Sequence, residues 1–407
     1  MVEAPPGTVP LAGVRVLDLS RVLAGPWCTQ LLADLGAEVI KIERPGAGDD
    51  TRHWGPPWHV LDGGEKVAAY FISANRGKRS AAIDFATEEG AALVRQLAAG
   101  SDVIVENFKV GGLSKFGLDA ASLQDSNPRL VIASITGFGQ DGPYASRAGY
   151  DYIIQAMGGL MSITGQPDGD PGGGPMRVGV AVVDLFTGLY TAVAILSALY
   201  RREKTGEGAY LDMALFDTQL AMLANQASNA LVSGKDPPRQ GNTHPNIVPY
   251  QPFEAADQPI VIAIGNDRQF ARLAQLCGRP EWTSDARFAS NSERVANRAA
   301  MVEAVAQCIR ARPAAEWLEN LEKAGIPAGP INSVSQALAD VQAQHRAMVR
   351  TIAGTPVVGS PVRIDGERAD SDLPAPALGE HTAEVLGALG LAEAEVARLT
   401  ASGVIAG

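Results

Sequence analysis

The stretch VRVLDLSRVLAGPWCTQLLADLGAEVIKI, residues 14–42, decides the fold. Its first six residues alternate as a strand does, and Pro26 opens a helix over 27–35 that Gly36 ends. A second apolar run at 38–42 reads as another strand, so the segment is a β-loop-α-β unit, the seed of a parallel sheet. Glu43 stands where a dinucleotide-binding sheet places its ribose-binding acid. The loop from Ser20 to Pro26, however, has none of the glycine spacing that lets a pyrophosphate approach the backbone.

Outward from that unit, strands are expected over 80–85, 102–106, 130–136 and 210–215, with a helix over 87–99. Asn107-Phe108 follows the 102–106 strand, at the end of a parallel strand where ligands gather. The run Gly137-Phe-Gly-Gln-Asp-Gly142 fits G-x-G-x-x-G literally, but it comes late in the sheet and no clear helix follows, so it reads as a glycine-bearing turn. The cluster Asn75-Arg-Gly-Lys-Arg79 is either a solvated edge or a phosphate contact; the residues leave both open.

Asp184 separates an apolar approach, 180–183, from an apolar helical run, 185–200. An aspartate there reads first as a helix N-cap. The positive end of the helix would also favour the ionised carboxylate, the form a nucleophile needs. Beyond it a helix is expected over 217–232, then a proline-bearing linker at 233–240, a strand over 259–264 and helices over 267–276, 291–310 and 315–324. The fold class is therefore α/β: a Rossmann-like parallel-sheet large domain, 1–218 and 333–407, and a smaller α+β domain, 219–332. The C-terminal segment, with a helix over 382–389, returns to the large domain.

With 407 residues, 46% hydrophobic and 19% charged, the chain reads as soluble and globular. A net charge of −11 speaks against nucleic acid as a partner. Cys28, Cys277 and Cys308 are too scattered for a disulfide framework or a zinc site, which implies a reducing, cytoplasmic setting. The five histidines lack metal-ligand spacing, so no metal is expected. The first ten residues lack the regions of a signal peptide, and the run 185–200 reads as a buried soluble helix, so no membrane association is expected. Nucleophile-elbow, P-loop, H-E-x-x-H and C-x-x-C motifs are absent. The residues alone point to a soluble α/β enzyme and leave open whether it binds a phosphorylated cofactor.

Ordered motifs from end to end add a resemblance. They include Ala24-Gly-Pro26, Lys41-Ile-Glu-Arg-Pro45, Asn75-Arg-Gly-Lys-Arg-Ser80, Val105-Glu-Asn-Phe108, Gly149-Tyr-Asp151, Val183-Asp184, Lys204-Thr-Gly206, Gly325-Ile-Pro327 and Leu378-Gly-Glu-His381. The chain resembles the class III CoA-transferases, the family of the carnitine and bile-acid CoA-transferases. Asn242-Thr-His-Pro-Asn-Ile-Val-Pro-Tyr-Gln251 and Gly265-Asn-Asp-Arg-Gln-Phe270 look most like its succinyl-CoA:dicarboxylate branch.

That resemblance implies that Asp184 is the catalytic aspartate, attacking an acyl-CoA thioester to give an anhydride and then an aspartyl-CoA thioester. It implies that coenzyme A, as the substrate thioester, meets Leu23, Arg44, Ile83, Phe85, Asn107, Phe108, Lys115 and Arg147. Leu23 replaces a glutamine of the formyl-CoA enzyme and argues against a formyl-CoA and oxalate pair. Racemases of the family carry His where this chain has Tyr150; phenols titrate near ~10 and make poor bases at neutral pH, so racemisation is disfavoured. The acyl or acceptor pocket would use Tyr150, His244, Asn246 and Tyr250, with Arg177 or Arg268 for a distal carboxylate. The implied partners are an acyl-CoA, a small carboxylic acid and a second copy in an interlocked homodimer. The alternatives are a 2-methylacyl-CoA racemase and a non-catalytic CoA- or nucleotide-binding protein.

Overall fold

The computed structural model describes residues 9–61 and 63–407; residues 1–8, most of the segment read above for a leader, lie outside the described residues. The chain divides into two compact units. The first takes the residues up to Leu160, Val178–Ser233 and Val341–Gly407; the second takes Met161–Arg177 and Gly234–Asp340.

The first unit is built on a seven-stranded sheet. Its parallel strands are β1 (Arg15–Asp18), β2 (Glu38–Glu43), β3 (Lys78–Ile83), β4 (Val103–Glu106), β5 (Val131–Thr136) and β6 (Ala209–Ala214). They lie in the order β3-β2-β1-β4-β5-β6, and the terminal strand Ile405–Ala406 pairs antiparallel on β3. This is the 3-2-1-4-5-6 order of doubly wound sheets. The chain builds outward from β1 to β3, then crosses back to β4, so the order reverses between β1 and β4 and leaves a crevice beyond their carboxyl ends.

Alternation along β1 sets the two cores. Val16 packs with α1 (Ala24–Asp34) through Cys28 and Leu32, whereas Leu17 and Leu19 face Leu93, Val94 and Leu97 of α2 (Glu88–Ala99). The long α4 (Val182–Thr205) joins the α1 side, burying Val183, Ala192 and Ile195. Gly188 is required in mid-helix, because a Cβ there would stand 2.6 Å from the Ala24 carbonyl oxygen. The returning helices Thr382–Ala388 and Glu393–Ala401 close the α2 side through Val385, Leu386 and Leu399.

The helix expected over 217–232 is two helices, α5 (Leu215–Met222) and α6 (Ala224–Ser233), broken where Ala224 takes φ +45. Because α5 packs on α3 (Asp151–Met157) and α4, this stretch belongs to the first unit, and the chain crosses to the second after 233 rather than 218. It crosses back at 341 rather than 333. The expected 291–310 helix is likewise broken at Asn297. In the second unit, β7 (Tyr250–Glu254), β8 (Pro259–Ala263) and β9 (Ala328–Pro330) form an antiparallel sheet, with helices packed around Phe270, Leu273 and Trp317.

The basic cluster at 75–79 resolves against the phosphate reading. Lys78 is fully buried, its Nζ 3.0 Å from Asp18 Oδ2 and 2.9 Å from Asn75 Oδ1. Arg76 pairs with Asp34 at 2.5 Å and with Asp370 at 3.1 Å. Only Arg79 is part-exposed, and Glu38 holds it at 2.8 Å. These cations are internal struts. They anchor β3 to β1 and α1, and an anionic ligand would have to displace a buried carboxylate to reach them.

Candidate active site

Beyond the carboxyl ends of β4 and β5 lies a cavity of about 430 Å³, within the range of small-molecule sites. Its walls include Arg21–Ala24 after β1, Asn107 and Phe108 after β4, Thr136 at the end of β5 and Gly137 after it, Arg147–Tyr150, and Asp184. The loop after β1 is clamped. The Asn107 side chain accepts from Arg21 N at 2.9 Å and donates to Arg21 O at 2.7 Å. Val22 N lies 3.3 Å from both Asp49 carboxylate oxygens. That clamp holds Val22 at φ +72, a backbone region that costs a β-branched residue about 1–3 kcal/mol.

The G-x-G-x-x-G run is a turn, as its sequence context implied. Its first glycine is there for close approach: a Cβ on Gly137 would stand 2.5 Å from Gly149 Cα. The two backbones touch, and this brings Tyr150 and Asp151 beside the start of α4.

Asp184 is not the helix cap. The N-cap is Ala181, which makes no side-chain bond, and Asp184 is the third helical residue. Capping comes instead from Asp151 on α3, whose Oδ2 accepts from Val183 N at 2.8 Å and Asp184 N at 3.3 Å. The other Asp151 oxygen accepts from Gln155 Nε2 at 2.6 Å, and Gln155 Oε1 accepts from Val178 N at 2.9 Å. Among the described residues no hydrogen bond reaches the Asp184 carboxylate, which is half-buried on the cavity wall. Burial, helped by the Asp151 charge, pushes its pKa up to about 7, so the helix end does not hold it ionised as the sequence implied. The same carboxylates act on Tyr70, pushed up to about 12 by burial and then by Asp184, Asp151 and Asp49. The sequence marks Asp151 only as part of the Gly149-Tyr-Asp151 motif, with no role, and does not single out Tyr70, since both act across folded distance.

Residues 11–382 match the sequence profile of CoA-transferase family III. The chain belongs to that family. It is 48% identical over 395 residues to the succinate–glutarate CoA-transferase of Agrobacterium fabrum, covering 96% of this chain and 98% of that one. It is 43% identical to the mouse succinyl-CoA:glutarate CoA-transferase, covering 97% and 90% respectively. A crystal structure of a CAIB/BAIF family protein from Brucella suis superposes with TM-score 0.83 at 51% identity, over 94% of this chain and 99% of that one.

In this family III chain the expected CoA residues fall into three groups. Leu23, Asn107, Phe108 and Arg147 line the cavity with Asp184. Phe85 and Lys115 flank it: Phe85 meets Phe108 at 5.7 Å and Phe116 at 5.6 Å, and Lys115 Nζ sits 4.7 Å over the Phe116 ring. Phe116, the centre of that cluster, is missed by the sequence reading. Arg44 is exposed on the turn after β2, away from the cavity wall. Ile83 is a correction: it is 1% exposed, covered by Ile405 of the terminal strand, and belongs to the core. Arg147 stacks 4.5 Å over Tyr144 and has no carboxylate partner among the described residues, while Tyr150 is 64% exposed.

His244, Asn246 and Tyr250 come together in one turn of the second unit. His244 Nδ1 accepts from Asn246 N at 3.1 Å, and the His244 ring lies 5.1 Å from that of Tyr250. Burial, then the nearby Arg298, lowers the His244 pKa. Arg177 is exposed in the same unit, and Arg268 lines a separate cavity there with Arg272 and Gly325. Among the described residues no cluster of His, Cys, Asp and Glu is arranged for a metal.

Proposed function

We propose that this protein transfers CoA from succinyl-CoA to a small dicarboxylic acid through Asp184. The observation that carries the reading is the Asp184 carboxylate itself, open on the cavity and reached by no hydrogen bond among the described residues, while both oxygens of the adjacent Asp151 are hydrogen-bonded. An Asp184 oxygen attacks the thioester carbonyl, the C–S bond breaks, and CoA thiolate leaves an aspartyl–succinyl anhydride. The thiolate then attacks the aspartyl carbonyl, which releases succinate and leaves an aspartyl-CoA thioester. The acceptor carboxylate opens that thioester, and thiolate attack on the acceptor carbonyl restores Asp184. Each step exchanges one activated acyl group for another, so no step carries the whole barrier.

Arg147, with Lys109 and Arg21 on the same wall, suits the CoA phosphates. The Phe85–Phe108–Phe116 cluster offers the adenine an apolar edge, with Lys115 at its rim. His244, Asn246 and Tyr250 are assigned to the acceptor pocket, on the branch resemblance.

The protein is proposed to be a soluble, cytoplasmic homodimer. Although α4 is long and apolar enough to cross a membrane, one of its faces is buried in the core. The other exposes Phe186, Leu189, Tyr190 and Val193, a contiguous apolar stripe that a second copy would cover. A monomer in sedimentation equilibrium at assay concentration would remove this part of the reading.

The activity is tested with purified protein, succinyl-CoA and a panel of dicarboxylates that includes glutarate, with acyl-CoA products separated by mass. New dicarboxyl-CoA and stoichiometric succinate are expected. Deuterium wash-in at the 2-carbon of a branched acyl-CoA, without CoA transfer, would favour the racemase instead.

A further inference from the structure

We infer that Asp151 is a positioning residue for the reaction: its carboxylate, seated on the first-turn amides of α4 and braced by Gln155, sets where the Asp184 carboxylate points. This rests on Asp184 as the nucleophile. The α4 start has no cap of its own, since Ala181 carries no side-chain acceptor. The turn that bears Asp184 is therefore held from outside, by the two bonds from Val183 N and Asp184 N to one oxygen of Asp151. Gln155, which is fully buried, links the other oxygen to Val178 N, so the approach to α4 and its first turn hang on one chain of bonds.

The arrangement answers two demands at once. A carboxylate facing backbone amides at a helix start has its oxygens satisfied and is held in place. A second carboxylate next to it, which no hydrogen bond reaches among the described residues, is left open on the cavity for a substrate. The titratable groups around Asp184 are Asp151 on α3 and Tyr70 on the helix Ala69–Asn75, with Arg21, Asp50, Lys109 and Arg147 on the shared wall. Of these, Asp151 is the negative charge acting on Asp184 directly.

Two variants separate the roles. Asp151→Asn keeps an oxygen for the α4 amides and removes the charge, while its amide nitrogen meets Gln155 Nε2 donor to donor and loses that brace; Asp151→Ala removes the oxygen, the charge and the brace. Asp151→Asn is expected to move the alkaline rise of kcat/KM to lower pH, because one of the two causes that raise the Asp184 pKa is removed. Asp151→Ala is expected to lower kcat about 10²-fold, with KM for succinyl-CoA changed less than about twofold, as misplacement of a reacting group does. Labelling of Asp184 by a water-soluble carbodiimide and an amine, followed by peptide mass across pH, reads the same carboxyl without turnover. Its protonation midpoint should fall in Asp151→Asn. A KM effect without a kcat effect, or an unmoved labelling midpoint in both variants, overturns the inference. Absence of transfer in wild type would instead defeat the proposed function and leave the labelling result standing.

Discussion

Asp184→Asn is expected to lower kcat for CoA transfer by on the order of 10⁴-fold or more, with CoA still bound. An amide carries no nucleophilic oxygen anion, and removing a covalent nucleophile costs far more than removing a binding contact. Binding should survive because Arg21, Lys109 and Arg147 lie elsewhere on the cavity wall and the phenylalanine cluster flanks it. The pH profile supplies a second check. Since burial and Asp151 push the Asp184 pKa up to about 7, kcat/KM in wild type should rise tenfold per pH unit below ~7 and level off above it. Stability should run the opposite way. A carboxyl whose folded pKa lies above its unfolded value near 3.8 contributes stability at low pH and loses it as pH rises through about 7. Asp184→Asn should therefore be at least as stable as wild type at pH 8, a trade typical of a strained reacting group. Residual turnover near wild type, or trapped acyl adduct on any other peptide, would sink the assignment.

Much of the sheet was legible because its signals are local. The alternation at 14–19, Gly36 after the first helix and the apolar run at 38–42 each act within a few residues, and β1, α1 and β2 follow from them. The break at Ala224 was not legible: nothing near it names a stop, yet α5 ends at Met222 and α6 begins at Ala224 with φ +45.

The site shows the same division. Asp184, Asn107 and Arg147, which line one cavity, were picked out through motif order. What tunes them was hidden, because Asp151 reaches α4 across 33 residues and Lys78 reaches Asp18 across 60. A basic run reads identically whether it faces solvent or a buried carboxylate. Only the fold, which turns alternate residues of β3 inward, distinguishes Lys78 from Arg79.

That distinction carries the second large effect: Lys78→Met is expected to cost about 3–5 kcal/mol in unfolding free energy. Lys78 and Asp18 are both fully buried. Burial alone would raise the Asp18 pKa, yet Lys78, Lys41 and hydrogen bonds from Ser20 and Thr29 bring it down to about 2. With Lys78 gone, an ionised carboxylate would remain in the core with only Lys41 to answer its charge. The loss is a large part of the roughly 5–15 kcal/mol that holds a domain together. Its sign with pH follows from the lowered carboxyl: the stabilisation is complete above the unfolded value of 3.8 and fades as pH falls through about 2. The gap between wild type and Lys78→Met in urea midpoint should accordingly be widest near neutrality and narrow in acid. The double variant Asp18→Asn with Lys78→Met should recover part of it, because the orphaned charge is removed along with its partner. Additive losses in the double variant, or an unchanged midpoint in the single one, would show that the pair is not the strut joining β1 to β3. The consequence reaches the cavity of Asp184, since Asp18 also accepts from Ser20 N at 2.9 Å, one residue before the clamped loop that walls it.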